Sequence, residues 1–125
     1  MTRINCILPS ELCRHHLIAE YRELPRVFAL AALWYRDPCK TALPRQYTLG
    51  KGHVRFFYDK LLYLQKRHEA LVREMKNRGY HPAFDAPVQT QCPSWMMNDW
   101  NPDEQAMVLN RTRIAERLAS MEGSA

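Results

Sequence analysis

No apolar run in the chain approaches the ~20 residues that a membrane-spanning helix needs, and no leader-like segment opens it. These two absences point to a cytoplasmic protein with no membrane partner. None of the four cysteines (Cys6, Cys13, Cys39, Cys92) forms a C-x-x-C pair, which sets aside a zinc ribbon or a thioredoxin-like site and leaves free thiols in a reducing compartment. There is no internal repeat and no low-complexity tract, so a solenoid is excluded. No G-x-S-x-G string is present to build a nucleophile elbow. Glycine is scarce, four in 125, and Gly50-Lys51-Gly52 is too short for a Walker loop and lacks its Lys-Ser/Thr pair. The length is that of one domain, too short for a large Rossmann enzyme. It can still bury roughly two-thirds of its unfolded surface without covalent staples.

What is present is a soluble composition, 46% hydrophobic with a mean hydropathy of −0.48, and an excess of base: 18 Lys+Arg against 13 Asp+Glu, net +5 and pI about 9.2. The excess is uneven. Residues 1–28 carry four basic and three acidic side chains, residues 29–80 eleven and four, and residues 81–125 three and six. A basic middle fits a polyanionic partner, and a solvated basic helix gives the same count.

Three segments have helical periodicity. The first is predicted from a Ser10 cap to Asp37-Pro38, with Leu17, Tyr21, Leu24, Phe28, Ala31 and Tyr35 on one stripe and a kink or short break where Pro25 removes a donor. The second is predicted from just after Gly52 to Gly79, with Val54, Phe57, Leu61, Leu64, Leu71 and Met75 inward and His68 hydrogen-bonded at the rim of the core. The third is predicted to start with Asn101 as cap, Pro102 in the first turn and Glu104 completing a capping box; Met107, Ile114, Leu118 and Met121 face the core. No strand pattern competes. The expected fold is all-α, a compact single-domain bundle (residues 1–125) of three main helices with long irregular connections, in which Trp95 and Trp100 are buried under a loop.

Within the first helix His16, Glu20 and Glu23 share a face, with Arg22 and Arg26 on the neighbouring one. This pattern suits a surface ion-pair cluster. It equally suits a carboxylate held among phosphate-binding arginines, able to move protons or stabilise positive charge at a sugar carbon. A metal grouping of His15, His16, Glu20 and Glu23 is a third reading, weakened because adjacent histidines diverge by about 100° on a helix. A Ser10–Cys13–His16 nucleophile and base lacks an orienting third group. Gly50-Lys51-Gly52-His53 ahead of a helix is either an ordinary turn or a phosphate anchor at a helix N-terminus.

Two strings, Met1-Thr2-Arg3-Ile4-Asn5 followed by Ala19-Glu20-Tyr21-Arg22-Glu23-Leu24-Pro25-Arg26-Val27-Phe28, and Gly50-Lys51-Gly52-His53-Val54-Arg55-Phe56-Phe57-Tyr58-Asp59-Lys60, resemble the pyrimidine-dimer DNA glycosylases of the phage endonuclease V family. A weaker match runs from Asp99 to Leu118 and includes Arg113 and Arg117. The resemblance implies a helical DNA-repair enzyme that excises cyclobutane pyrimidine dimers from duplex DNA and then nicks the abasic site. It would act as a monomer, with neither metal nor organic cofactor. By the same resemblance Thr2, exposed once Met1 is removed, supplies the nucleophilic amine, and Glu23 is the catalytic carboxylate. Arg3, Arg22 and Arg26 would grip phosphates around the lesion. Tyr21 and Pro25 would line a pocket for a base flipped out opposite the dimer, and His16 would lie near the reacting sugar. Lys51, His53, Lys60, Arg113 and Arg117 complete the expected DNA contacts. An α-amine, with a pKa near 7.7–8.0, is better suited to imine formation than a lysine near 10.4, and arginines beside it lower it further. His15 and His68 stand where the family's best-known members carry glutamine, and its aromatic C-terminal tail has no counterpart in Met121-Glu122-Gly123-Ser124-Ala125. Three alternatives follow: the same chemistry on another damaged base, a non-catalytic basic module that binds nucleic acid, and a metal-dependent nuclease.

Overall fold

The apolar stripes of the sequence become the contact between two long helices. In the computed structural model, which describes residues 3–123, α1 is Arg14–Arg36, α2 is Leu61–Asn77 and α3 is Glu104–Gly123; three-residue 3-10 turns stand at Pro9–Glu11, Arg55–Phe57 and Ser94–Met96. Among the described residues there is no strand, only an isolated bridge between Lys60 and Met97. The all-α expectation is met. No described helix is long and apolar enough to cross a membrane.

Leu17, Tyr21, Leu24, Phe28 and Ala31 of α1 are buried against Leu61, Leu64, Leu71 and Met75 of α2, with Ile4, Phe56, Phe57 and Met96 closing the core. Tyr35 falls outside it, exposed at the end of the stripe. Helix α1 runs through Pro25 without a break. Proline costs about 3 kcal/mol inside a helix, and burial of Leu24, Val27 and Phe28 on either side, at about 1.5–3 kcal/mol each, outweighs it.

The helix starts differ from those the sequence suggests. Ser10 lies in a 3-10 turn, and α1 begins at Arg14 because Leu12 first turns into the core in extended geometry. Helix α2 begins at Leu61 rather than after Gly52. The backbone of Lys60 and Tyr63 is engaged by residues 97 and 98, with Tyr63 N–H donating to Asn98 C=O at 3.2 Å. Helix α3 is capped by Asp103, whose Oδ1 accepts from Ala106 N–H at 2.7 Å, and not by Asn101. Gly79 at φ 85° does end α2, with Tyr80 N–H returning to Met75 C=O at 2.9 Å. Met121 is exposed rather than inward, Trp95 is half exposed, and Trp100 is partly buried and stacked on Tyr47. His68 is not at the rim. It is 2% exposed, stacked on Tyr21 at 5.9 Å, and its Nε2 has no hydrogen-bond partner among the described residues; burial lowers its pKa.

Candidate active site

A cleft of about 320 Å³ separates the N-terminal half of α1 from the C-terminal half of α3, and residues 3–5 cross its end. Helix α1 contributes His16, Glu20 and Glu23 through the four-and-three spacing that puts them on one side, with His15 beside His16; α3 contributes Arg113, Arg117 and Ser120 in the same way, with Ile114 beside Arg113. The two glutamates have different surroundings. Glu20 is 2% exposed and held by Arg67, Nε to Oε2 at 2.8 Å and Nη2 to Oε1 at 3.0 Å, and by Asn5 Nδ2 at 2.7 Å. The Arg67 pKa is raised: burial works against its charge, and the Glu20 carboxylate overrides that. Glu23 has a 43% exposed side chain that opens into the cleft, with Arg26 Nη1 at 3.6 Å.

Facing these carboxylates is a concentration of positive charge. The Arg3 pKa is lowered by burial and by Arg113 and Arg117, with Tyr47 opposing. Arg3 Nη1, Arg113 Nε and His16 Nδ1 are buried without a hydrogen-bond partner among the described residues. His16 is lowered by burial and then by His15, Arg117 and Arg3, so it stays neutral near pH 7. Three guanidinium groups brought together at this cost form an anion-binding wall suited to phosphate.

Sequence model and fold converge here. A sequence model of the pyrimidine dimer DNA glycosylase family matches residues 1–87 of the 125. The chain belongs to that family. It is therefore an enzyme of DNA repair, a pyrimidine dimer DNA glycosylase. The matched span carries the α1 side of the cleft; the α3 side, with Arg113 and Arg117, lies beyond it.

Of the glycosylase residues expected from sequence, Arg3, His16, Glu23, Arg113 and Arg117 meet in the cleft. Arg22 and Arg26 are exposed on the adjoining face of α1. Thr2 lies outside the described residues. Pro25 lines a separate groove of about 430 Å³ between α1 and residues 88–92. Three features stand elsewhere than the sequence suggests. Tyr21 does not line that groove: it is 5% exposed, and its hydroxyl accepts from Phe84 N–H at 2.6 Å. His53 is not at the surface. It is 3% exposed, with Nε2 accepting from Ile4 N–H at 2.8 Å and Nδ1 donating to Thr48 C=O at 2.8 Å, so neither nitrogen is open to phosphate. The Gly50–His53 turn leads into a three-residue 3-10 turn and not an α-helix, so no helix dipole stands behind it. Lys51 is exposed there, whereas Lys60 is half-buried, its Nζ bound to Phe56 C=O at 3.0 Å and Asp59 at 2.9 Å, away from the cleft.

The metal grouping is not assembled. Among the described residues no three His, Cys, Asp or Glu side chains gather closely enough to hold an ion, and Glu20 is committed to Arg67. Ser10 and Cys13 do not line the cleft. Sequence reasoning missed Asn5, which lines the cleft, and Arg67 and Asn110, which are buried and bonded to the lining residues Glu20 and Asn5. The available signal was a polar residue inside an apolar stripe: Arg67 lies between Leu64 and Leu71, and Asn110 between Met107 and Ile114.

Proposed function

We propose that this glycosylase excises cyclobutane pyrimidine dimers from duplex DNA through an imine on the Thr2 amine, and then cleaves the strand by β-elimination. The amine nitrogen bonds to C1′ as the glycosylic bond breaks and the base departs with the electron pair. The sugar ring opens, and nitrogen's lone pair forms the iminium. Loss of a C2′ proton then expels the 3′ phosphate oxygen, and water hydrolyses the imine. The chain must lose Met1 for this chemistry, and Thr2 is one peptide bond from Arg3 at the cleft.

The observation that carries the reading is the contrast between the two glutamates. Glu20 is neutralised by Arg67, whereas Glu23 is an accessible carboxylate in a cleft that Arg3, Arg113 and Arg117 also line. A carboxylate so placed stabilises the cationic sugar, takes the proton that the amine loses after bonding to C1′, and passes it to the opening ring oxygen. The arginines take the phosphates on either side, and neutral His16 is able to accept a proton. The groove beside Pro25, walled by Phe28, Ala32 and Tyr35 and edged by Gln89 and Gln91, offers a flipped-out base an apolar face and hydrogen-bonding edges.

Borohydride added during reaction with a dimer-containing duplex reduces the iminium to a stable amine and leaves a covalent DNA–protein adduct. Intact mass of the same sample reports whether Met1 has been removed. An adduct mapping to Thr2 is the expected result; strand cleavage by the Met1-free chain with no adduct sinks the imine.

A further inference from the structure

Residues 4–7 belong to no helix or strand, yet they are buried, so their backbone groups must find partners elsewhere. Side chains supply six of the eight. Ile4 N–H donates to His53 Nε2 at 2.8 Å, and Ile4 C=O accepts from the Tyr47 hydroxyl at 3.4 Å. Asn5 C=O accepts from the Tyr63 hydroxyl at 3.3 Å, and Ile7 C=O from Arg67 Nη1. Two more, Cys6 N–H at 2.7 Å and Ile7 N–H at 3.2 Å, converge on one atom, Asn110 Oδ1. Asn110 Nδ2 in turn donates to Asn5 Oδ1 at 2.7 Å, and Asn5 Nδ2 to Glu20 Oε1 at 2.7 Å. Asn110 is 0% exposed and uses both ends of its amide.

A sheet would satisfy a segment of this kind in any of several registers. This cradle does not: each of these backbone groups meets one particular side-chain atom, and a slip of one residue strands several buried groups at about 1–3 kcal/mol each. What the arrangement specifies is therefore where residues 4–7 sit along their own axis. Ile4 is two residues from Thr2, at most about 7 Å of chain. Asn110 also stands three and seven positions before Arg113 and Arg117, on the α3 side that faces the cleft.

We propose that Asn110 is a positioning residue for the excision reaction: it locks the amine-bearing segment and the phosphate-facing arginines of α3 to one another, and so fixes the distance at which the amine meets the sugar. This rests on the amine chemistry proposed above. Asn110 touches no substrate. Its effect runs through geometry, and a displacement of 1 Å at a reacting pair costs on the order of 100-fold in rate.

The test compares Asn110→Ala and the milder Asn110→Ser with the wild-type chain, all checked for helical content by circular dichroism. Three quantities are measured: the single-turnover rate of borohydride-trapped adduct on a duplex with a natural abasic site, the Kd for a duplex carrying a tetrahydrofuran abasic analogue, and the pH profile of the trapping rate. The expected result is a folded variant whose trapping rate falls at least tenfold while Kd changes less than twofold. Its pH profile moves to higher pH, because an amine farther from the cleft arginines is easier to protonate. A folded variant that traps at the wild-type rate with an unmoved profile overturns the proposal. So does a loss of rate and binding by the same factor, or the failure of both variants to fold, since either gives Asn110 a structural role alone. A wild-type chain that forms no adduct overturns the amine chemistry, and the role of Asn110 with it, before any substitution is made.

Discussion

Glu20 and Glu23 are less than one helical turn apart on α1, and the partner each has been given decides what it can do. Removing one member of a buried ion pair leaves an uncompensated charge, so Glu20→Ala is expected to destabilise the fold by about 3–5 kcal/mol, read as a lowered denaturant midpoint with DNA affinity changed only through the unfolded fraction. Glu23→Gln removes a charge from a site already open to water. It should leave the denaturant midpoint close to wild type and reduce single-turnover excision on the order of 100-fold or more, while the duplex is still bound. Excision by Glu23→Gln at the wild-type rate would withdraw the catalytic role from that carboxylate. Helical spacing places both glutamates on one face and cannot rank them, because the partner that separates them, Arg67, is 47 residues from Glu20; only the family resemblance singled out Glu23. His53 shows the same limit from the other side. A histidine in a glycine turn looks like a surface residue, and only the close approach of residue 4 makes it a buried acceptor.

At the level of elements, the helices were legible and their beginnings were not. Apolar spacing is local, and it identified Leu17, Tyr21, Leu24, Phe28 and Ala31 of α1 and Leu61, Leu64, Leu71 and Met75 of α2, all buried, while missing Val27, Tyr63 and Val72. Helix starts depend on where the backbone finds its other partners. Lys60 and Tyr63 find theirs in residues 97 and 98, a pairing no local pattern announces. The segment 4–7 is the sharpest case, and it has a measurable pH signature. His53 accepts from Ile4 only when neutral; its pKa is lowered to about 4 by burial, with the Thr48 carbonyl bond opposing and Arg3 assisting. The unfolded chain, with an ordinary histidine near 6.5, binds the proton first. Stability is therefore fully present above about pH 6.5 and declines as pH falls toward 4, by up to roughly 3 kcal/mol in total from this group. Urea melts at pH 7 and pH 5 should show the loss, and it should be much reduced in His53→Gln, which has no proton to gain. An equal pH dependence in both would remove His53 as its source.

For the molecule as a whole, the net charge of +5 matters less than where the positive charges face. Arg3, Arg113 and Arg117 converge on the cleft, while Arg22 and Arg26 extend the basic surface along α1. Each guanidinium that neutralises a phosphate releases counterion, so the slope of log K against log salt counts such contacts at about 0.9 per phosphate. Arg117 is exposed on the cleft rim and carries none of the core, so its replacement by glutamine should not disturb folding. If it holds a phosphate, Arg117→Gln weakens binding to dimer-containing and undamaged duplex by the same factor, and the salt slope becomes shallower by about one unit. If it instead reads the lesion, affinity for the damaged duplex falls alone and the slope for undamaged DNA is unchanged. Titrations of both duplexes at several salt concentrations distinguish the two outcomes. The first is expected, because Arg117 shares the wall with Arg3 and Arg113, whose unpartnered nitrogens require an anion more than they require a base edge.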